Sequence, residues 1–207
     1  GGRGTIRASP VVFRYVFDVY MLEHTFTDSY QDWHVIEIGG GYGMMASALF
    51  MTKRVLRYSV VDLDVVGSLI QKHADYTKTP RVSLLKSTEA TVTPSDLLIS
   101  FFCISEQRSD VVRHYVRLYM AHAQRGYLQL NYDDDLQQGG LARDSSANDD
   151  RLSLLQLFRL IYEVQPSAML LPPPPCDVYP AGHGHHRIIW GLDGKSSFLR
   201  GPAHRAS

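Results

Sequence analysis

The sequence predicts an α/β fold: a seven-stranded, mostly parallel sheet with helices on both faces and an antiparallel hairpin at its C-terminal end. Three observations predict it. Short β-branched apolar runs alternate with longer amphipathic segments, a rhythm that calls for parallel strands joined by crossover helices. Glycines cluster where the first strand gives way to a helix. After the fifth strand the order becomes helix, strand, loop, strand, which suits a hairpin better than another crossover.

Each element has its own signal. Val12, Tyr15, Val16, Val19 and Tyr20 recur at helical spacing behind Pro10, so residues 11–22 read as a helix with proline near its start. Strands are predicted at 35–38, 57–63, 81–86, 96–102 and 126–132, with helices at 43–53, 65–76 and 110–122 between them. Residues 133–150 break the pattern as a polar loop with Gly139-Gly140 in its middle. Leu154, Leu157, Phe158, Ile161 and Val164 give the next segment an apolar helical face. Strands at 168–171 and 187–192 follow, separated by Pro172 to Pro175, which cannot donate backbone hydrogen bonds and form a stiff connector. The chain divides into an N-terminal helical segment (1–30), a ligand-binding domain (31–195) and a tail (196–207).

Composition narrows the class. The 207 residues suffice for one sizeable domain and not two. Hydrophobic and charged fractions of 44% and 20% are ordinary for a globular chain and exclude a disordered tail or a coiled coil. Basic and acidic residues balance at 21 each, which argues against a nucleic-acid partner. That balance hides an acidic segment. Residues 133–150 hold six acids against Arg143 alone, so the rest of the chain is mildly basic, and the segment reads first as a solvated insertion. Two cysteines, Cys103 and Cys176, give no disulfide framework and suit a cytoplasmic setting. No apolar run is long enough to span a bilayer. The opening Gly1-Gly2-Arg3-Gly4 carries neither a methionine nor a signal-peptide pattern and reads as a trimmed start.

The chemistry centres on Glu37-Ile38-Gly39-Gly40-Gly41-Tyr42-Gly43. Glycines at a strand-to-helix turn admit positive φ and let a ligand approach the backbone, and the helix start adds unpaired N–H groups. Asp62 ends the next strand, where a carboxylate can accept both hydroxyls of a ribose. Together they predict a site for an adenosine-containing cofactor. Gly41 to Ala46 also fits G-x-G-x-x-A, the nicotinamide or flavin pattern of an NAD(P)-binding oxidoreductase. Glu37 favours the E-x-G-x-G-x-G motif of class I S-adenosylmethionine (SAM) methyltransferases instead. A carboxylate there attracts the methionyl ammonium of SAM, whereas it would repel a pyrophosphate.

Further segments extend the likeness. Arg14-Tyr15, residues 35–43 and 58–63, Asp96-Leu97-Leu98-Ile99-Ser100 with Ser105-Glu106, residues 126–131, and Ile188-Ile189-Trp190-Gly191 resemble, in order and spacing, the sugar O-methyltransferase family of class I methyltransferases. The resemblance runs from about Arg14 to Gly191. It implies a Rossmann-like sheet, SAM as cofactor, and a sugar or other hydroxylated small molecule as methyl acceptor. Phe101-Phe102-Cys103 departs from the family, which more often has an Asn-Tyr-type pair there.

Methyl transfer to a hydroxyl needs alignment and a base near the carboxyl ends of strands four and five. Glu106 is the first candidate, set against an exposed glutamate that only favours its helix start. His183 and His185, in the run before the last strand, are candidates for acid–base work, with surface histidines on a hairpin loop as the plainer alternative. Asn131 is expected to orient the acceptor. Glu106, Asn131 and Asp133 could offer oxygen ligands to Mg²⁺, but the preferred reading has no metal. Ser87 or Thr88, after strand three, is placed to meet the adenine, and Tyr42 either lines the cofactor pocket or packs on the sheet. A methyltransferase-like binding module without catalysis is the remaining rival.

Overall fold

A computed structural model describes residues 9–26, 32–52, 55–86, 88, 91–132, 150–171 and 185–192. Helix α1 (Pro10–Thr25) starts on Pro10, whose missing N–H is no loss in a first turn. Then follow β1 (Trp33–Ile38), α2 (Met44–Met51), β2 (Val55–Asp62), α3 (Asp64–Thr77), β3 (Val82–Lys86) and β4 (Ser95–Phe101). The four-residue α4 (Cys103–Glu106), α5 (Ser109–Leu118), β5 (Ala123–Asn131), α6 (Leu154–Val164), β6 (Met169–Leu171) and β7 (His185–Trp190) complete the order. The capping box of α6 is reciprocal. Gln156 N–H donates to Ser153 Oγ at 3.3 Å, and Ser153 N–H to Gln156 Oε1 at 2.9 Å.

The sheet runs β3-β2-β1-β4-β5-β7-β6. The first five strands pair in parallel, and β7 lies antiparallel between β5 and β6. The predicted α/β class, the seven strands and the C-terminal hairpin are all present. Two differences concern short or mixed elements. Helix α4 falls inside a stretch too short to show helical periodicity, and the helix expected over 110–122 ends at Leu118, with a 3₁₀ turn over Met120–His122.

Strand alternation sends side chains to two separate cores. Ile36, Ile38, Leu98, Leu128, Ile188 and Trp190 pack with α5 and α6. Val35, Tyr58, Val60, Leu97, Ile99 and Tyr127 pack on the opposite face with α1, α2 and α3. Gly126 makes room for the Trp190 ring on the neighbouring strand, and the Trp190 indole N–H donates to Ala123 O at 3.2 Å. All parallel strands therefore end on one edge, the place where open α/β sheets gather ligands.

Candidate functional site

The loop from β1 to α2 is shaped by its glycines. Gly39 takes φ +82° and gives its N–H to Val61 O at 2.9 Å, which ties the loop to the end of β2. A Cβ on Gly39 would overlap Cys103 at the start of α4. Gly41, at φ +54°, is the opposite case, because a Cβ there would meet no atom within 4 Å. One glycine is required by packing; the other leaves open space above the backbone, as a ligand in contact with that backbone would need. Gly43, also at positive φ, caps the N-terminus of α2.

Asp62 closes the loop from the other side. Its Oδ2 accepts the Gly41 N–H at 3.3 Å and its Oδ1 accepts the Leu63 N–H at 2.7 Å. The carboxylate is held at the carboxyl end of β2, only partly covered, and can still take a ligand's hydroxyls. A depression of about 650 Å³ opens from Asp62 and Leu63 between α3 and β3, toward Lys72, Leu84 and Lys86. Tyr42 is 65% exposed beside this loop, so it does not pack on the sheet.

Glu37 lies under the loop on the α1–α2–α3 face, 3% exposed. The Tyr58 hydroxyl, on β2, donates to Glu37 Oε2 at 2.8 Å. Burial, with Asp62 and Asp18 nearby, lifts the Glu37 carboxyl to about 8, and the Tyr58 hydrogen bond opposes that rise. Tyr58 itself is pushed well up, first by burial and then by Glu37. Tyr15 on α1 is raised by burial and by Glu37 as well. No motif in the sequence gives Tyr58, Tyr15 or Asp18 a role in the site, although Tyr15 and Tyr58 fall within the resembling segments. Strand periodicity carried part of the signal, since residues 58, 60 and 62 share a face.

A second group forms where β4, β5 and β7 meet. Phe102 caps α4 at φ +69°, unusual for a bulky side chain, and its N–H donates to Gln129 O at 2.7 Å. The Arg14 guanidinium is 6.0 Å from its ring centre, and the His185 ring is 5.1 Å away. Ser105 Oγ donates to Phe102 O at 2.7 Å and accepts the Asn131 N–H at 3.1 Å. Asn131 is paired in register with His185. Glu106, exposed, ends α4 beside Ser105. This fold places Glu106, Asn131 and His185 at one corner, although they come from three separate segments. Burial pushes the Cys103 thiol up to about 12, with smaller contributions from Asp62 and Glu106, so Cys103 is an unreactive wall between the two groups. Ser100 Oγ, donating to Ile38 O at 2.9 Å, joins the ends of β4 and β1.

The remaining expectations divide simply. Thr88 is exposed after β3. Ser87, His183 and Asp133 lie outside the described residues. No helix among the described residues is long and apolar enough to cross a membrane.

No protein-family model and no curated protein matches the chain. Solved structures do. The methyltransferase domain of bacterial CtHen1-CN superposes with a TM-score of 0.62 at 14% identity, over 89% of this chain and 100% of that one. An O-methyltransferase family protein from Burkholderia thailandensis gives 0.60 at 12% identity, over 88% of this chain and 57% of that one. The N-terminal domain of EvdMO1, crystallised in the presence of SAH and D-fucose, gives 0.60 at 13% identity, over 92% of this chain and 85% of that one. This chain has the α/β fold of these methyltransferases; its own sheet is the seven-stranded one described above, with the C-terminal antiparallel hairpin.

Proposed function

We propose that this protein is a SAM-dependent O-methyltransferase whose acceptor is a sugar or another hydroxylated small molecule. The observation that carries the cofactor half is the open space over Gly41, bounded by the Asp62 carboxylate and underlain by buried Glu37. A nucleoside with an amino-acid tail matches those acceptors: hydroxyls for Asp62, an ammonium for Glu37 and close backbone contact at Gly41. Bound there, SAM would supply an already activated methyl group. Asp62 would hold the ribose, and Gly39 and Gly43 would fix the loop around the ligand. Tyr42 and Thr88 are assigned to the rim of the same site, and Ser87, on its place in the sequence alone, to the adenine.

At the acceptor corner, Glu106 is the proposed base, removing the proton from the acceptor hydroxyl, and Asn131 orients that hydroxyl. His185 is assigned as an acid–base partner in the same corner, and His183, on its place in the sequence alone, as a second. The acceptor class is supported by the neighbour crystallised with D-fucose and by the O-methyltransferase neighbour. Titration calorimetry with S-adenosylhomocysteine and with NAD tests the cofactor. Binding of the former and not the latter is expected, and the reverse would turn the assignment to an oxidoreductase. SAM binding without turnover on any hydroxylated acceptor would make the chain a binding module.

A further inference from the structure

Glu37 is buried in unusual company. From α1, Asp18 and Tyr15 act on it; from β2, Tyr58 and Asp62; from the start of α4, the Cys103 thiol. Every one of these groups is an acid, neutral or negative; the Arg14 guanidinium, also on α1, bonds to Tyr15 and is not among the charges that act on Glu37. Among the described residues no cation pairs with Glu37, and its hydrogen bond comes from a single hydroxyl, that of Tyr58. An ionised carboxylate, an acceptor of several hydrogen bonds, is poorly supported by one donor in a buried site beside other acids. The neutral acid avoids the cost of burying a charge.

We propose that Glu37 stands protonated in the cofactor-free protein and that a ligand's ammonium displaces that proton into solvent, so the site exchanges one cation for another. The exchange rests on the cofactor assignment made above. It balances: the ligand brings one positive charge, Glu37 loses H⁺ to the buffer, and an ammonium–carboxylate pair replaces the buried acid. The geometry explains why a buried glutamate is tolerated under the loop without a resident lysine or arginine. Burial, which lifts this carboxyl to about 8, points the same way, with Asp62 and Asp18 adding to the effect.

A pH profile follows. Below pH 8 the proton must be removed on binding, so affinity rises about tenfold per pH unit as the proton becomes easier to lose. Above pH 8 Glu37 is already ionised before the ligand arrives, so the affinity levels off.

The test is calorimetric titration of the intact chain with S-adenosylhomocysteine at pH 7, in phosphate and in Tris, whose ionisation enthalpies differ widely. Close to one proton released per ligand is expected. 5′-Methylthioadenosine, which keeps the nucleoside and lacks the amino-acid end, should bind with no release, and Glu37→Gln should abolish release for S-adenosylhomocysteine. Buffer-independent binding of S-adenosylhomocysteine overturns the exchange and leaves the cofactor assignment standing. Equal release with both ligands also overturns it, since the proton then comes from elsewhere. No binding of either ligand to folded protein overturns both the exchange and the assignment.

Discussion

The loop between β1 and α2 and the corner where β4, β5 and β7 meet occupy the same edge of the sheet, but the chain builds them differently. The loop is local. Gly39, Gly41 and Gly43 lie within a few residues of Glu37, and Asp62 arrives one crossover later to bind the Gly41 amide. Its parts are fixed by backbone hydrogen bonds and positive φ, so few substitutions are neutral. The corner is assembled from α4, the end of β5 and the start of β7, held by Ser105 and by ring contacts around Phe102. Glu106 and Asn131 are exposed there. The contrast suits a fixed cofactor site beside an acceptor site that can be altered without disturbing the fold.

Breaking each half separately is the sharpest use of this contrast. Glu106→Gln is expected to lower turnover by about 10²-fold or more, the range for loss of a general base, while leaving S-adenosylhomocysteine affinity unchanged. Asp62→Ala should do the reverse first, weakening that affinity by about 10- to 100-fold through lost charged hydrogen bonds. Calorimetry and steady-state kinetics on both variants decide it. Equal loss of affinity in the two would erase the division.

The two glycines make a second contrast inside the loop. Gly39→Ala forces a methyl into Cys103 and strains a positive φ, so about 3 kcal/mol of stability should be lost. Gly41→Ala pays the φ penalty alone, about 1 kcal/mol, yet places its methyl in the open space proposed for the ligand. Urea titrations should separate them by about 2 kcal/mol. Calorimetry should find S-adenosylhomocysteine binding sharply weakened in Gly41→Ala despite its intact fold.

Legibility in the sequence follows the same division. The glycine loop, Asp62 and the seven-strand order were readable because turn chemistry and strand period are local signals. Gly39, Gly41, Gly43 and Asp62 lie where the motif set them, and the hairpin after β5 was visible in the changed rhythm. The Tyr58–Glu37 bond was not readable, since it depends on the register between β1 and β2. Helix α4 is too short for a 3.6-residue period. Nothing about phenylalanine announces a left-handed backbone at Phe102, and its contact with His185 joins residues distant in the chain.

The buried glutamate ties the loop to pH. Glu37 titrates near 8 in the folded chain, against 4.5 when unperturbed. Between those values the folded state holds a proton that the unfolded state has released. The contribution of Glu37 to stability is therefore complete below pH 4.5 and is lost as pH rises toward 8, by up to about 1.4 kcal/mol per pH unit. Urea midpoints from pH 5 to 8 should fall for the cofactor-free protein. Glu37→Gln should flatten that slope.

Phe102 offers the smallest effect and separates backbone strain from ring contact at the corner. At φ +69° a residue with a Cβ costs about 1 kcal/mol or more relative to glycine. Phe102→Gly removes the strain and also a half-buried ring, so the two changes largely offset in stability. Phe102→Ala removes the ring but keeps the strain, and should therefore be about 1 kcal/mol less stable than Phe102→Gly, the reverse of their order in a helix interior. If the ring, near both Arg14 and His185, is a wall for the acceptor, both variants raise the acceptor KM alike and leave S-adenosylhomocysteine affinity alone. A KM that instead tracks the stability difference between them would assign Phe102 to the backbone of α4 and not to the acceptor.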